Sequence, residues 1–197
     1  PKISALRVSP SAALFKAYLF KSQSRPSGLN VYALGIDGGG SRTRALLCDA
    51  YGRTIGQGLS GGTNPRTSSA AELKVHLQEA IEQTTRSIDC SKIIIAHFGL
   101  AGAGDAETKA KVRTITKELL SEQTTCTIGH DLEIALAGGL ANNTGIVLVA
   151  GTGSACYGRT CDGRSAKCGG WGDLVDDVGS GSWIGLRALQ ACVSQTD

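Results

Sequence analysis

A strand, a glycine-rich turn and a second strand occur twice in this chain, and no other feature constrains its fold as strongly. The first copy runs from Val31-Tyr32-Ala33-Leu34 through Gly35-Ile36-Asp37-Gly38-Gly39-Gly40-Ser41-Arg42-Thr43 into Ala45-Leu46-Leu47-Cys48-Asp49. The second runs from Gly145-Ile146-Val147-Leu148-Val149-Ala150 through Gly151-Thr152-Gly153-Ser154 into Ala155–Arg159, with Ser165–Gly169 following around Cys161-Asp162-Gly163. Each copy adds a third strand after a short turn, so the pattern reads as two lobes that begin alike. Glycine has no Cβ, so a ligand can approach the backbone of such a turn closely and φ can be positive. Successive backbone N–H groups there form a concave anion site. Both turns lead into a strand rather than a helix, which sets them apart from a P-loop and from a dinucleotide fingerprint. Facing each other across a cleft, two such turns would clamp a polyphosphate. Asp37, at the end of the first strand, is placed to hold a hydrated Mg²⁺ beside a phosphate, and Ser41 and Thr43 add hydroxyl donors. On the first copy alone, a plain hairpin with a glycine turn remains an equal reading.

The segments between the copies follow an α/β order. Strands are expected at about 31–37, 42–49 and 53–59, with Asp49-Ala50-Tyr51-Gly52 as the second turn and Ser60-Gly61-Gly62-Thr63-Asn64-Pro65-Arg66 as a loop. A helix over about 68–88 keeps Leu73, Leu77, Ile81 and Ile88 on one face. Lys92–Phe98 is a continuous apolar run, expected to be a strand buried on both faces. Gly99–Gly104 is a turn, and a helix over about 106–122 repeats Val112, Ile115 and Leu119. Thr124–Ile128 is a short strand, and Gly129-His130-Asp131 leads into a small-residue helix, Leu132 to Asn142. Three strands, helix, strand, helix, strand, helix is the plan of a ribonuclease-H-like α/β domain. The expected organisation is a flexible basic extension or presequence at 1–30, a first ribonuclease-H-like lobe at 31–143, and the opening of a second lobe at 144–197 that closes with a helix from about Ser180 to Val193.

Composition narrows the function classes. Glycine numbers 27, where average usage gives about 14, and the excess sits in a few turns. Residues 1–36 carry five basic residues and no acid, while the remainder has 15 basic and 17 acidic residues. The folded body is therefore near neutral and shows no basic patch for nucleic acid. The basic, Ser-rich start, with Ala12–Phe20 as a short amphipathic helix, suits an organelle transit peptide as well as it suits an ordinary extension. No apolar run approaches the roughly 18 residues of a membrane helix. Seven cysteines, an odd number without a C-x-x-C pair, with three histidines, fit a reduced cytoplasmic protein better than a disulfide scaffold or zinc site. Methionine is absent even at position 1, so the chain is expected not to begin at its natural start.

With both turns placed, residues 31–193 resemble the actin/Hsp70/sugar-kinase superfamily, and within it the BadF/BadG/BcrA/BcrD ATPase family on the branch of the N-acetylglucosamine kinases. The motifs are Gly-Ile-Asp-Gly-Gly-Gly-Ser at 35–41, Thr-Asn at 63–64, Asp131 before a small-residue helix, Ala-Gly-Thr-Gly-Ser at 150–154, Gly-Gly-Trp-Gly at 169–172 and Asp-Val-Gly-Ser-Gly-Ser-Trp-Ile-Gly at 177–185. The resemblance implies an actin-like ATPase fold and ATP-dependent phosphorylation of an amino sugar, with ATP and Mg²⁺ as cofactors, and a homodimer is compatible with it. It implies that Gly39, Gly40 and Ser41 form the first phosphate loop, and Thr152 and Gly153 the second. It implies that Asn64 holds sugar hydroxyls and that Asp131 receives the proton of the attacking hydroxyl. Ser154 and Ala155 would line the sugar side of the second turn, and Gly170, Trp171, Gly172 and Asp177 the loop that closes on the amino sugar. Val178 stands where the pattern has a second acid, which weakens any assignment to N-acetylglucosamine itself. In this superfamily the second lobe continues further and carries the adenosine pocket, so these 197 residues alone are expected to bind nucleotide weakly and turn over little.

Structural roles compete at several positions. Asp131 is also a good helix N-cap, Asn64-Pro65 an ordinary turn pair, Trp171 a core residue, and Asp173, Asp176 and Asp177 a solvated acidic loop. His130 beside Asp131 reads as a structural neighbour rather than half of a catalytic dyad. The competing functions are an activator-type ATPase of 2-hydroxyacyl-CoA dehydratases and a non-catalytic sugar-binding module.

Overall fold

The computed structural model describes residues 30–140 and 144–195. The basic extension, its expected helix at Ala12–Phe20, and the expected end of the third helix at Asn142 lie outside the described residues. Contacts divide the chain between residues 142 and 143 into two compact units.

In the first unit, β1 (Tyr32–Gly38), β2 (Thr43–Asp49) and β3 (Thr54–Ser60) form an antiparallel meander. The second turn closes because the Asp49 carboxylate accepts the N–H groups of Tyr51 and Arg53, each at 2.9 Å. Helix α1 (Ala70–Thr85) opens with a capping box, in which Ser69 and Glu72 satisfy each other's backbone N–H groups. Its Leu73, Leu77 and Ile81 stripe is buried, each such side chain contributing about 1.5–3 kcal/mol. Gly56 and Gly58 let α1 lie directly on β3, since a Cβ at either would collide with the carbonyl oxygen of Thr84 or Ala80. Strand β4 (Ile93–Leu100) runs parallel to β1. Helix α2 (Ala106–Leu119), capped by Asp105, leads to β5 (Thr125–Gly129), parallel to β4. Helix α3 (Asp131–Gly139) follows at once. The sheet order is β3-β2-β1-β4-β5, the ribonuclease-H-like plan. Helix α2 stops three residues short of the expected end, because Leu120 turns extended and buries its side chain against the core.

One expectation needs correction. Strand β4 is not buried throughout: Ile94, Ile95 and His97 are only half-buried. The pairing shifts where Tyr32 meets Ile93 and Ala33 meets Ile95, which leaves Ile94 as a bulge. Beyond it, Ala96, Phe98 and Leu100 enter the main core. Ile95, His97 and Gly99 alternate onto the other face, where Ile134 of the short α3 lies directly on Gly99.

The second unit holds β6 (Gly145–Ala150), β7 (Ser154–Arg159) and β8 (Ser165–Gly169), antiparallel in that order, and α4 (Gly181–Ser194) with Ser180 as its cap. It repeats the three-stranded opening of the first unit. Among its described residues only Tyr157, Asp177 and Ser180 are buried, and α4 has no buried residue. No helix among the described residues is long and apolar enough to cross a membrane.

Candidate functional site

The carboxyl ends of the three parallel strands meet at one edge of the first sheet, where Gly38 pairs with Leu100 and Gly99 with Gly129. Ligands of open α/β sheets bind outside that edge. Residues 39–42 form the turn there. The Gly39 N–H donates to the Arg42 carbonyl at 2.9 Å and closes the hairpin, so it is engaged within the turn. Gly40 and Ser41 are exposed, and their N–H groups have no partner among the described residues. None of Gly38, Gly39 and Gly40 has a positive φ. Glycine is needed instead for close approach, since a Cβ at Gly38 would collide with the hydroxyl of Thr63. Thr43, expected to add a hydroxyl donor, is fully buried, and its hydroxyl donates to the Gly61 carbonyl at 2.7 Å, a bond that serves the fold.

Two carboxylates stand beside this turn. Asp37 precedes it and is exposed. The atoms crowding its carboxyl group, and then the Asp131 carboxylate, raise its pKa above the ordinary range, while Arg44 and Arg42 pull it down. Asp131 is the first residue of α3 and half-buried. It is not the N-cap. That position belongs to His130, which makes no side-chain cap bond, so Asp131 is left to face the positive end of the helix dipole. The His130 ring reaches Glu133 at 3.3 Å rather than Asp131. His97 lies beneath, with Nδ1 2.8 Å from the Thr127 hydroxyl and Nε2 buried without a partner. Burial lowers its pKa, opposed by the Glu133 carboxylate.

Asn64 is half-buried in the loop after β3. Its carboxamide oxygen accepts the Arg66 N–H at 3.0 Å, and its backbone carbonyl accepts from Ser68 at 2.9 Å. Gly102, with φ 84°, packs on that carboxamide so closely that a Cβ would collide with it. Arg66 then pairs with Asp105 at 2.9 Å. The Thr108 N–H and hydroxyl, followed by Arg66, hold the Asp105 carboxyl down to about 2. Thr63, Arg66 and Asp105 carry this loop. In the sequence Thr63 stood out only as the partner of Asn64 in the Thr-Asn pair, and Arg66 only as the end of the loop, so neither had a role of its own. Asp105 had a readable signal as an N-cap three residues before Thr108.

In the second unit the Gly151 N–H donates to the Gly153 carbonyl at 2.8 Å. The amides of Thr152 and Gly153 have no partner among the described residues. The carbonyl of Gly151 accepts from Gly181 at 2.8 Å and that of Thr152 from Ser182 at 3.4 Å. Asp177 is buried against Gly153, where a Cβ would lie 2.6 Å from its carboxylate. Its φ of 56° is the one positive value at a non-glycine described residue. It is thus neither solvated nor on the open part of its loop. Ser154 donates to the Val178 carbonyl at 2.9 Å, and Ala155 lies half-buried against Gly170. Trp171 is 80% exposed between Gly170 (φ 75°) and Gly172 (φ 100°), so it is not a core residue.

Comparison with known proteins gives a consistent result. The model of the BadF/BadG/BcrA/BcrD ATPase family matches residues 34–197. An N-acetylmuramic acid/N-acetylglucosamine kinase of Clostridium acetobutylicum is 37% identical over 171 residues, covering 84% of this chain and 55% of the relative. An N-acetyl-D-glucosamine kinase of Dictyostelium discoideum is 29% identical over 174 residues, covering 83% of this chain and 54% of the relative. A solved structure from Porphyromonas gingivalis, assigned provisionally as an N-acetylglucosamine kinase, superposes with a TM-score of 0.70 at 20% identity, covering 83% of this chain and 57% of that one. The chain spans little more than half the length of these relatives.

Proposed function

The chain belongs to the BadF/BadG/BcrA/BcrD ATPase family, and from that premise we propose that it serves an ATP-dependent transfer of a phosphoryl group to a hydroxyl of N-acetylglucosamine or a closely related amino sugar. The observation that carries the reading is the edge of the first sheet. There, two unpartnered turn amides stand beside two carboxylates close enough for the charge of Asp131 to raise the pKa of Asp37.

Phosphoryl transfer asks mainly for positioning and for neutralisation of charge on the phosphoryl oxygens. The amides of Gly40 and Ser41, with the Ser41 hydroxyl, would receive phosphate oxygens in the first unit. Those of Thr152 and Gly153 would do so in the second, and Gly39 would line the first turn without donating. Asp131 would accept the proton of the attacking sugar hydroxyl and orient its oxygen, a role typically worth about 10²–10⁴-fold in rate. Asn64 would hold sugar hydroxyls through the carboxamide nitrogen, since its oxygen is engaged by Arg66. Ser154, Ala155, Gly170, Trp171 and Gly172 would complete the sugar contacts, with Asp177 bracing the second turn. Mg²⁺ fits Asp37 through water, because a divalent cation offsets the repulsion between that carboxylate and Asp131. When bound it would neutralise phosphate charge. Seven cysteines, none of them in a disulfide, suit a cytoplasmic setting.

The experiment is coupled ADP release from the longest natural form of the chain, offered N-acetylglucosamine, glucosamine, N-acetylmuramate, N-acetylgalactosamine or glucose. Turnover on one amino sugar that falls about 10²–10⁴-fold in Asp131→Asn is expected. Slow ATP hydrolysis that no sugar stimulates would overturn the reading and favour the activator-type ATPase.

A further inference from the structure

The proposed reaction assigns two segments to different substrates: the turn at 38–41 to the nucleotide phosphates, and the loop at 61–64 to the sugar. A buried relay of hydroxyls joins them. Thr43 and Thr63 are both fully buried, and their hydroxyl oxygens lie 2.7 Å apart. A carbonyl oxygen cannot donate, so Thr43 gives its single hydroxyl proton to Gly61, also at 2.7 Å. The bond between the two hydroxyls must therefore run from Thr63 to Thr43. The relay has one direction, Thr63 to Thr43 to the Gly61 carbonyl, and its two protons are both engaged.

The surrounding backbone locks the two segments into one body. The Thr63 N–H donates to the Gly39 carbonyl at 2.9 Å, and the Ala101 N–H to the Gly38 carbonyl at 2.7 Å. Gly62 lies on the Gly40 carbonyl so closely that a Cβ there would collide with it. The far side of the loop is held by α1. The Gly62 carbonyl can only accept, so His76 Nδ1, 2.7 Å away, carries the proton, and Ser60 donates to the His76 carbonyl at 2.6 Å. The loop thus cannot shift without moving the carbonyls of the turn, whose displacement re-aims the amides of Gly40 and Ser41.

We propose that Thr63 is a positioning residue that couples the phosphate turn to the sugar loop, so that nucleotide and sugar binding are thermodynamically linked through the Thr63–Thr43–Gly61 relay. The proposal rests on the function put forward above. Linkage of this kind is reciprocal, each ligand changing the other's affinity by the same factor. Thr63→Val keeps the shape and removes the donor, leaving the Thr43 oxygen without the hydrogen bond it accepts. Thr63→Ser keeps the donor.

The test uses the longest natural form of the chain and two readouts. In steady-state kinetics, Thr63→Val is expected to raise the KM for ATP and the KM for the amino sugar together, each about tenfold, with Thr63→Ser within about twofold of wild type. A folded Thr63→Val that moves neither KM, or only one, overturns the coupling. In amide hydrogen exchange, Mg²⁺ with AMP-PNP is expected to slow exchange at 60–64 as well as at 38–42 in the wild type, and only at 38–42 in Thr63→Val. Protection confined to 38–42 in the wild type overturns the proposal even where Thr63→Val does not fold. Absence of sugar turnover in the wild type would defeat the kinase reading, while the exchange result would still decide whether turn and loop move as one.

Discussion

In the first glycine turn the Gly39 N–H closes on Arg42, and in the second the Gly151 N–H closes on Gly153. Each turn therefore leaves its next two amides without a partner. The difference lies in what holds the carbonyl side. Behind the first turn stand Thr63 and Thr43, buried and continuous with a core of Leu73, Leu77, Phe98 and Leu100. Behind the second stand the first N–H groups of α4, with Asp177 packed on Gly153 in a left-handed conformation. Those N–H groups are orphans at any helix start, so the turn completes the cap that Ser180 begins on α4, and α4 braces the turn. The same kind of turn is thus built once from side-chain packing and once from backbone ends. The first should keep its shape through the stability of its own unit, and the second only while α4 stays in place.

The largest expected effect divides the two units outright. Residues 30–142 expressed alone should melt cooperatively, because their core is complete around α1, α2 and the sheet. Residues 143–197 alone should not. Only Tyr157, Asp177 and Ser180 are buried among their described residues, too little burial to offset about 1–2 kcal/mol of backbone entropy per residue. Circular-dichroism melts of both pieces decide it, and a cooperative transition in 143–197 would break the comparison.

Glycine substitutions sharpen it within the turns. Gly62→Ala pushes a methyl group into the backbone carbonyl of Gly40, which cannot move without the hairpin, and should cost about 1–3 kcal/mol. Gly153→Ala meets the end of the Asp177 side chain, 2.6 Å away, which can swing aside, and should cost under about 1 kcal/mol. Denaturant midpoints of the two variants in one background give the contrast, and equal losses would mean that Asp177 is as rigid as the buried relay. At Asp177 itself, with φ at 56°, Asp177→Asn should be nearly neutral because asparagine tolerates that region. Asp177→Ala should lose about 1 kcal/mol. Matched losses in the two variants would show that the carboxylate, not the backbone, holds the turn.

These contrasts were only partly legible in the sequence. The elements were, because Leu73, Leu77 and Ile81 recur at helical spacing and the glycine turns punctuate the strands. The bulge at Ile94 was not, since a continuous apolar run hides a change of phase. Gly40, Ser41, Thr152 and Gly153 could be singled out as residues of the glycine turns. That Gly39 and Gly151 close their own turns could not, because which amide points inward is set by the strand register. Thr43 looked like a ligand donor because its neighbour Ser41 does. Its burial follows from Thr63, 20 residues away, and a partner at that distance leaves no local mark. Asp131 carried an ambiguity that the backbone removed, since His130 occupies the cap and frees the aspartate.

The smallest effect concerns the carboxylate beside the first turn. Asp37 has its pKa raised by crowding of its carboxyl group and by the Asp131 charge, against Arg44 and Arg42. A carboxyl group whose folded pKa exceeds its unfolded value binds its proton more tightly in the native state. Its favourable contribution is complete below the ordinary aspartate value of 3.8 and is lost as pH rises through the folded pKa. At neutral pH the ionised group therefore weighs against the fold, and Asp37→Asn should raise the melting temperature there, by less and less as the pH falls towards 4. Melting curves of the two proteins between pH 3 and 8 check the sign. A variant that is destabilised at pH 7 would mean that Arg42 and Arg44 outweigh Asp131, and that the first turn, like the second, leans on its aspartate for shape. A gain confined to neutral pH would show instead that the first turn holds an ionised carboxylate at the expense of stability, which is what a site poised for a cation requires.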